Sequence, residues 1–272
     1  MKHATIIFLV LFVAARVHAQ ELFIQTEPAS NMPAGFWGVR VSSESWEGDH
    51  TISRIGIEGM YGFDKSLMLH PIIFGSNQLN GFGVETYGLY AKYRLYNDDG
   101  FKYHFRVAAF GEALAGEQHS TYPTFSFNGS GPFATGGLIA TLLENRFATS
   151  LSAGAAGALK DIPLSNGSYS NIKGINTILS TGYLVYPPRY TSFSDANINI
   201  YAEFLDYQSW YDHVTNGASL PKQGNEFLLS FGPQVILNSI ARFDVAYVAL
   251  LYSSLPERRP NTVFARFEYN FY

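Results

Sequence analysis

Residues 85–109 read ETYGLYAKYRLYNDDGFKYHFRVAA. Tyr87, Leu89, Ala91, Tyr93 and Leu95 alternate with Thr86, Gly88, Tyr90, Lys92 and Arg94, a period of two that marks a β-strand. Beyond Asn97-Asp98-Asp99-Gly100, a second set, Phe101, Tyr103, Phe105, Val107 and Ala109, alternates with Lys102, His104, Arg106 and Ala108. The four intervening residues predict a three-residue hairpin loop closed by glycine in the left-handed conformation. That loop sets Tyr96 opposite Lys102, Arg94 opposite His104 and Lys92 opposite Arg106, so the two polar faces coincide. Like charges directly opposite destabilise a sheet, so this register calls for carboxylates on a far wall or an anion between the walls.

Working outward, the same reading yields about twelve strands, near 35–45, 52–64, 66–77, 82–96, 101–116, 131–144, 147–160, 175–187, 197–211, 226–238, 242–254 and 262–272. Segments 131–144 and 175–187 alternate least clearly. Most of the twelve exceed the ~9–11 residues that a tilted strand needs to cross a bilayer. The connections alternate as well. Counted from a periplasmic N-terminus, 64–66, 97–100, 144–147, 188–196 and 238–242 are mostly tight turns. On the other side, 46–51, 78–81, 117–130, 161–174, 212–225 and 255–261 are longer and more polar, as in outer-membrane barrels. A soluble β-sandwich would also alternate, but with polar outward faces and less unequal loops. The expectation is an all-β fold, a single closed antiparallel transmembrane barrel of about twelve strands.

Composition points the same way. Charged residues are 15% and aromatics 16% of the 272, with 25 Gly and no Cys. A soluble domain typically carries roughly 25% charged residues. The formal charge of −4 argues against nucleic acid as a partner, and the absence of cysteine excludes disulfides and thiolate metal sites. Lys2 and His3 precede the apolar run ATIIFLVLFVAA (4–15), and Val17-His18-Ala19 forms a small-residue cleavage site. This reads as a signal peptide over 1–19, since twelve helical residues rise only ~18 Å and do not span a bilayer. Its removal leaves 16 basic and 22 acidic residues, a charge of −6. Residues 20–34, QELFIQTEPASNMPA, contain Pro28 and Pro33, which oppose strand pairing. They read as a periplasmic lead-in, with a small plug or a partner-binding strand as the alternative. Residues 35–272 form the barrel.

In the last segment, Val263, Ala265, Phe267, Tyr269 and Phe271 occupy one face, and Arg266, Glu268 and Asn270 the other. This strand resembles the terminal strand of Gram-negative outer-membrane β-barrel proteins, which ends in an aromatic residue. The resemblance implies an outer-membrane location, outer-membrane lipid around the barrel, and recognition of Phe267, Tyr269, Phe271 and Tyr272 by the barrel assembly machinery. Phe271 keeps the apolar register and Tyr272 lies one residue beyond it, so either can be the terminal anchor.

Alternation assigns Arg40, Arg54, Glu58, Lys92, Arg94, Lys102, His104, Arg106, Glu203, Arg242, Asp244, Arg266 and Glu268 to the lumen. Once the barrel closes, Arg242/Asp244, Arg266/Glu268, Arg40 and Arg54/Glu58 lie on neighbouring strands as a mixed-charge ladder. Such a ladder either fixes register or forms a constriction that selects solutes. Tyr201, Tyr207, Trp210 and Tyr211 crowd one strand, some of them readable as interfacial girdle aromatics and alternatively as a sugar-stacking platform. His50, His119 and His213 fall near the outer loops beside Ser120, Ser209 or Asp212, but no nucleophile–base–orienter set, zinc spacing or phosphate loop is evident. No cofactor or metal is expected. The function expected is a passive channel or small-solute transporter, with a side-chain-filled structural barrel as the alternative.

Overall fold

The computed structural model describes residues 23–47, 51–79, 81–100, 103–116, 132–164, 167–188, 195–255 and 261–271. The strands are β1 Trp37–Glu47, β2 Thr51–Gly62, β3 Leu67–Leu79, β4 Gly81–Asp99, β5 Tyr103–Gly116, β6 Phe133–Glu144, β7 Phe147–Ala158, β8 Ile162–Leu164, β9 Gly167–Tyr186, β10 Asn197–Thr215, β11 Ala218–Leu237, β12 Ala241–Ser253 and β13 Thr262–Phe271. Each pairs antiparallel with its neighbour, β1 pairs with β13, and β9 pairs with both β7 and β10. The result is a closed ring of twelve strands, with the short β8 appended to the start of β9. Closure removes the edges of the ring itself; among the described residues, outlying stretches such as β8 and the part of β11 before Glu226 are ladder-paired on one side alone.

The alternation has the sense of a membrane barrel. On β4, Tyr87, Leu89 and Tyr93 are about half exposed, while Tyr90 and Lys92 between them are buried. On β13, Val263, Phe267 and Tyr269 point outward, and Phe264, Arg266 and Glu268 point inward. Trp37 and Phe271 stack at 3.8 Å where the first and last strands meet. An outward surface carrying Val84, Tyr87, Phe204, Phe231, Val245 and Tyr247 far exceeds the few hundred Å² of contiguous apolar patch tolerated on a soluble monomer. Lipid is the solvent that accommodates it.

Three sequence expectations need correction. First, β4 continues to Asp99 and β5 begins at Tyr103, so the connection lies later than the Asn97–Gly100 turn expected. A bulge between Arg94 and Tyr96 shifts the register, so Lys92 faces Phe110, Arg94 faces Ala108 and His104 faces Asp99. The like-charge pairs therefore do not form: the later turn moves Arg106 and His104 opposite Asn97 and Asp99, and the extra residue turns those two acceptors inward. Second, 161–174 and 212–225 are largely strand. Asn216-Gly217, both with positive φ (51° and 77°), close a tight hairpin of the kind whose twist matches its strands. Strands β9 and β11 have 20 residues and β10 has 19, about twice what a crossing requires, so this three-strand wall projects beyond the membrane. Third, of the aromatics on β10 considered above only Trp210 faces out, whereas Tyr201, Tyr207 and Tyr211 are buried inside the barrel.

Candidate functional site: the occupied lumen

The inner face of β12, β13, β1 and β2 carries a continuous ion ladder. Cross-strand register sets Arg242 and Arg40 on either side of Glu268, Asp244 opposite Arg266, and Arg40 opposite Glu58. Arg242 Nη2 lies 2.7 Å and Arg40 Nη2 2.9 Å from the same Glu268 oxygen, Oε2. Arg266 Nε donates to Asp244 Oδ2 at 2.8 Å, and Gln234 Nε2 to Asp244 Oδ1 at 2.6 Å. Arg40 Nη1 reaches Glu58 Oε2 at 3.2 Å, and His70 Nδ1 lies 3.4 Å from that oxygen. Most of these buried charges are met by hydrogen bonds, the condition under which a buried ion pair is tolerated, while Arg242 Nε and Nη1 make none among the described residues.

A second ion pair depends on a bulge. Phe74 pairs with Thr86 and Gly75 with Val84, so Glu85 is the extra residue and turns inward beside Thr86. There it accepts from Arg54 Nε at 3.0 Å and bonds Ser76 Oγ. Strict alternation would place Glu85 outward with Tyr87, so periodicity alone misses it.

Where β4 ends and β5 begins, Asp99 Oδ1 gathers His104 Nδ1 (2.7 Å) and Arg106 Nη2 (2.9 Å). Arg94 bonds the Lys65 carbonyl in the β2–β3 turn and so serves the rim. In the same turn the Asp64 carboxylate accepts backbone N–H groups of Ser66 (2.6 Å) and Leu67 (2.8 Å), which hold it below the usual carboxylate range. Lys102 and Tyr272, along with His50, His119 and Ser120, lie outside the described residues. His213 meets Tyr169 and Thr215, and Ser209 Oγ donates to the Gly224 carbonyl, so these two are engaged separately.

The feature that dominates the lumen is residues 23–33, which run inside the ring without forming a strand. Side chains from around the wall meet them. Ile24 N and Gln25 N both donate to Glu203 Oε1 on β10, at 2.8 Å each. Arg266 donates to the carbonyls of Phe23 (2.7 Å) and Ile24 (3.2 Å). Thr26 Oγ1 lies 3.1 Å from Ser180 Oγ on β9. Lys92 Nζ donates to Pro28 O at 2.6 Å, Ala29 N to Thr141 Oγ1 at 2.9 Å, and Arg106 Nη1 to Ser30 Oγ at 2.8 Å. The Asn31 amide bonds the Ser66 carbonyl, and Gly35 N donates to Gly62 O at 2.7 Å where the segment joins β1. Apolar seats complement these bonds. Phe23 packs with Leu143 and Ala148, Ile24 with Ile178, Tyr201 and Leu205, and Ala29 beside Tyr90, Phe110 and Ile139.

Glu27 is the charged centre of the segment. Its Oε1 lies 2.6 Å from Arg40 Nη1, and its Oε2 lies 3.4 Å from Lys92 Nζ. Burial pushes the carboxyl up, but Arg40 and then Lys92 outweigh it and hold it well below the usual carboxylate range. Between segment and wall remains a cavity of ≈ 60 Å³, lined among others by Glu58, His70, Tyr90 and Glu112, space for a few waters at most. Among the described residues no group of three or more His, Asp or Glu side chains is placed to hold a metal ion.

No protein-family model matches the chain, and no curated protein matches it in sequence. The fold has solved counterparts. An outer membrane channel from Pseudomonas putida F1 superposes with a TM-score of 0.59 at 12% identity, over 92% of this chain and all of that one. The β domain of a Bordetella autotransporter gives 0.44 at 16% identity, over 87% and 99%. OprD of Pseudomonas aeruginosa gives 0.40 at 10% identity, over 86% and 66%. At these identities the likeness concerns architecture. The architecture is that of a Gram-negative outer-membrane β-barrel, and the outer membrane is where a ring with this lipid-facing surface resides.

Proposed function

We propose that this protein is an outer-membrane channel for small solutes, shut by residues 23–33 and opened when that segment withdraws. The observation that supports this is how the segment is held. It crosses the lumen on contacts from wall side chains, with no strand pairing to the wall, and joins the barrel covalently only through Gly35 and Phe36. The closed ring offers no ladder for it to join inside the lumen, so it is an element apart from the sheet. One held by separable ion pairs and hydrogen bonds can leave without disturbing the ring. Gly35, with φ +80° and open space around it, supplies the pivot. The solved neighbour from Pseudomonas putida, an outer membrane channel, agrees with a conducting role.

The chain contains no cysteine, which makes a clean test. Thr26→Cys with Ser180→Cys replaces two hydroxyls 3.1 Å apart, so oxidation tethers the segment to β9. In planar bilayers the oxidised protein is expected to conduct little, and reduction to restore openings. Equal silence in both states, from protein whose unheated form migrates anomalously in detergent gels, would instead favour a filled structural barrel. Equal conductance in both states would show that the segment does not gate.

A further inference from the structure

We infer that the lumen wall is a peptide-binding site, that residues 23–30 are its built-in occupant, and that the solutes it admits are short acidic peptides. This rests on the channel reading above for the word "admits", but the site itself does not. The wall contacts fall largely on main-chain atoms of the segment. Glu203 Oε1 accepts two successive N–H groups, of Ile24 and Gln25. Arg266 donates through both terminal nitrogens to two successive carbonyls, of Phe23 and Ile24. Farther along, Lys92 takes the Pro28 carbonyl and Thr141 the Ala29 N–H. Successive N–H groups and successive carbonyls converge on one partner each because the segment bends at residues 24–26, and contacts of this type read a bent peptide backbone whatever its side chains.

Glu203 carries the argument. It is fully buried, and Arg266, the cation that acts on it, is itself engaged by Asp244 and by the carbonyls of Phe23 and Ile24. Its third donor is Ser180 Oγ at 3.0 Å. A buried carboxylate is costly unless donors surround it, and here two of the three donors belong to the segment. The wall is therefore completed by a peptide. Side-chain selection is added at two places. Ile24 enters an apolar seat made by Ile178, Tyr201 and Leu205. Three residues on, the Glu27 carboxylate meets Arg40 and Lys92. A peptide with an aliphatic residue followed three positions later by an acidic one satisfies both.

The tethered segment competes with any free peptide at high effective concentration. The test therefore uses full-length protein carrying Ile24→Asn and Glu27→Gln, which weakens the occupant and leaves the wall intact. The probe is a fluorescein-labelled, end-blocked peptide of residues 23–31, FIQTEPASN, followed by fluorescence anisotropy in detergent. The expected result is saturable binding, weakened at least about tenfold by glutamine in place of the peptide's glutamate and by Glu203→Gln in the wall. No saturable binding, or equal binding of a scrambled peptide, by protein with barrel-type gel mobility would overturn the inference. Anisotropy needs no flux. Binding without conductance in the disulfide test would thus sink the channel and keep the site, and conductance without binding would do the reverse.

Discussion

Replacing Glu27 with glutamine removes the charge that couples the segment to the wall while keeping the side chain's shape. The native carboxylate has one guanidinium nitrogen at 2.6 Å and one ammonium at 3.4 Å. A hydrogen bond to a charged group contributes about 1.5–3 kcal/mol, and an amide recovers part of it, so the docked state should lose about 2 kcal/mol. At about 1.36 kcal/mol per decade this is about a 30-fold rise in the undocked fraction. The reporter is Thr26→Cys, a position buried while the segment is docked. When redocking outruns chemistry, the rate of modification by a water-soluble thiol reagent follows the undocked population. Labelling should therefore be about 30-fold faster in the Glu27→Gln protein than in otherwise identical protein that keeps Glu27. Rates agreeing within about twofold would mean that less than about 0.5 kcal/mol rests on the Glu27 pairs, and the gating argument would lose its electrostatic anchor.

Acid should act through the same residue. A carboxyl held below its unpaired value favours docking at neutral pH, and that contribution fades progressively as pH falls from the unpaired carboxylate range through the depressed value. Open probability should therefore rise over that acid range, and the Glu27→Gln protein should lack this rise. No rise in acid, or a rise that persists in Glu27→Gln protein, would show that the Glu27 pairs do not hold the segment. Arg40→Gln leaves Glu27, Glu58 and Glu268 facing one another, and a loss of about 3–5 kcal/mol in urea unfolding is expected; a change under about 1 kcal/mol would refute the hub role. Deleting Phe271 and Tyr272 together should prevent membrane insertion, because the Trp37–Phe271 stack closes the seam. Deleting Tyr272 alone should leave insertion near normal, and outer-membrane fractionation distinguishes the two.

The ring is legible because alternation is a local property, repeated in strand after strand. It places Arg40, Glu58, Arg242, Asp244, Arg266 and Glu268 on one inner surface, since inward residues on adjacent strands meet whenever the register is regular. Alternation fails where one residue is inserted. The bulges at Glu85 and Leu95 each reverse a face locally, and no hydrophobic period records them. Asn216-Gly217 is a readable hairpin signal inside a stretch whose polarity suggests a loop. On β10 the tyrosines suit either face by composition, and Glu203 in the same alternating set is the clue that they face inward. Residues 23–33 have no periodicity at all. Their position is fixed by partners as far along the chain as Arg266, and sequence spacing says nothing about contacts of that range.

The seat of Phe23 and Ile24 is assembled from β6, β7, β9, β10 and β13. Until the last strand has joined the first, Arg266 has no fixed position and the seat does not exist. Docking is thus a product of ring closure, and it sets the order of events during biogenesis: the first part of the described chain is the last to find its place. A half-built barrel carries a loose leader, and only a finished one can sheathe it. Protection of residue 26 from a protease or thiol reagent would then serve as a clock for completed assembly.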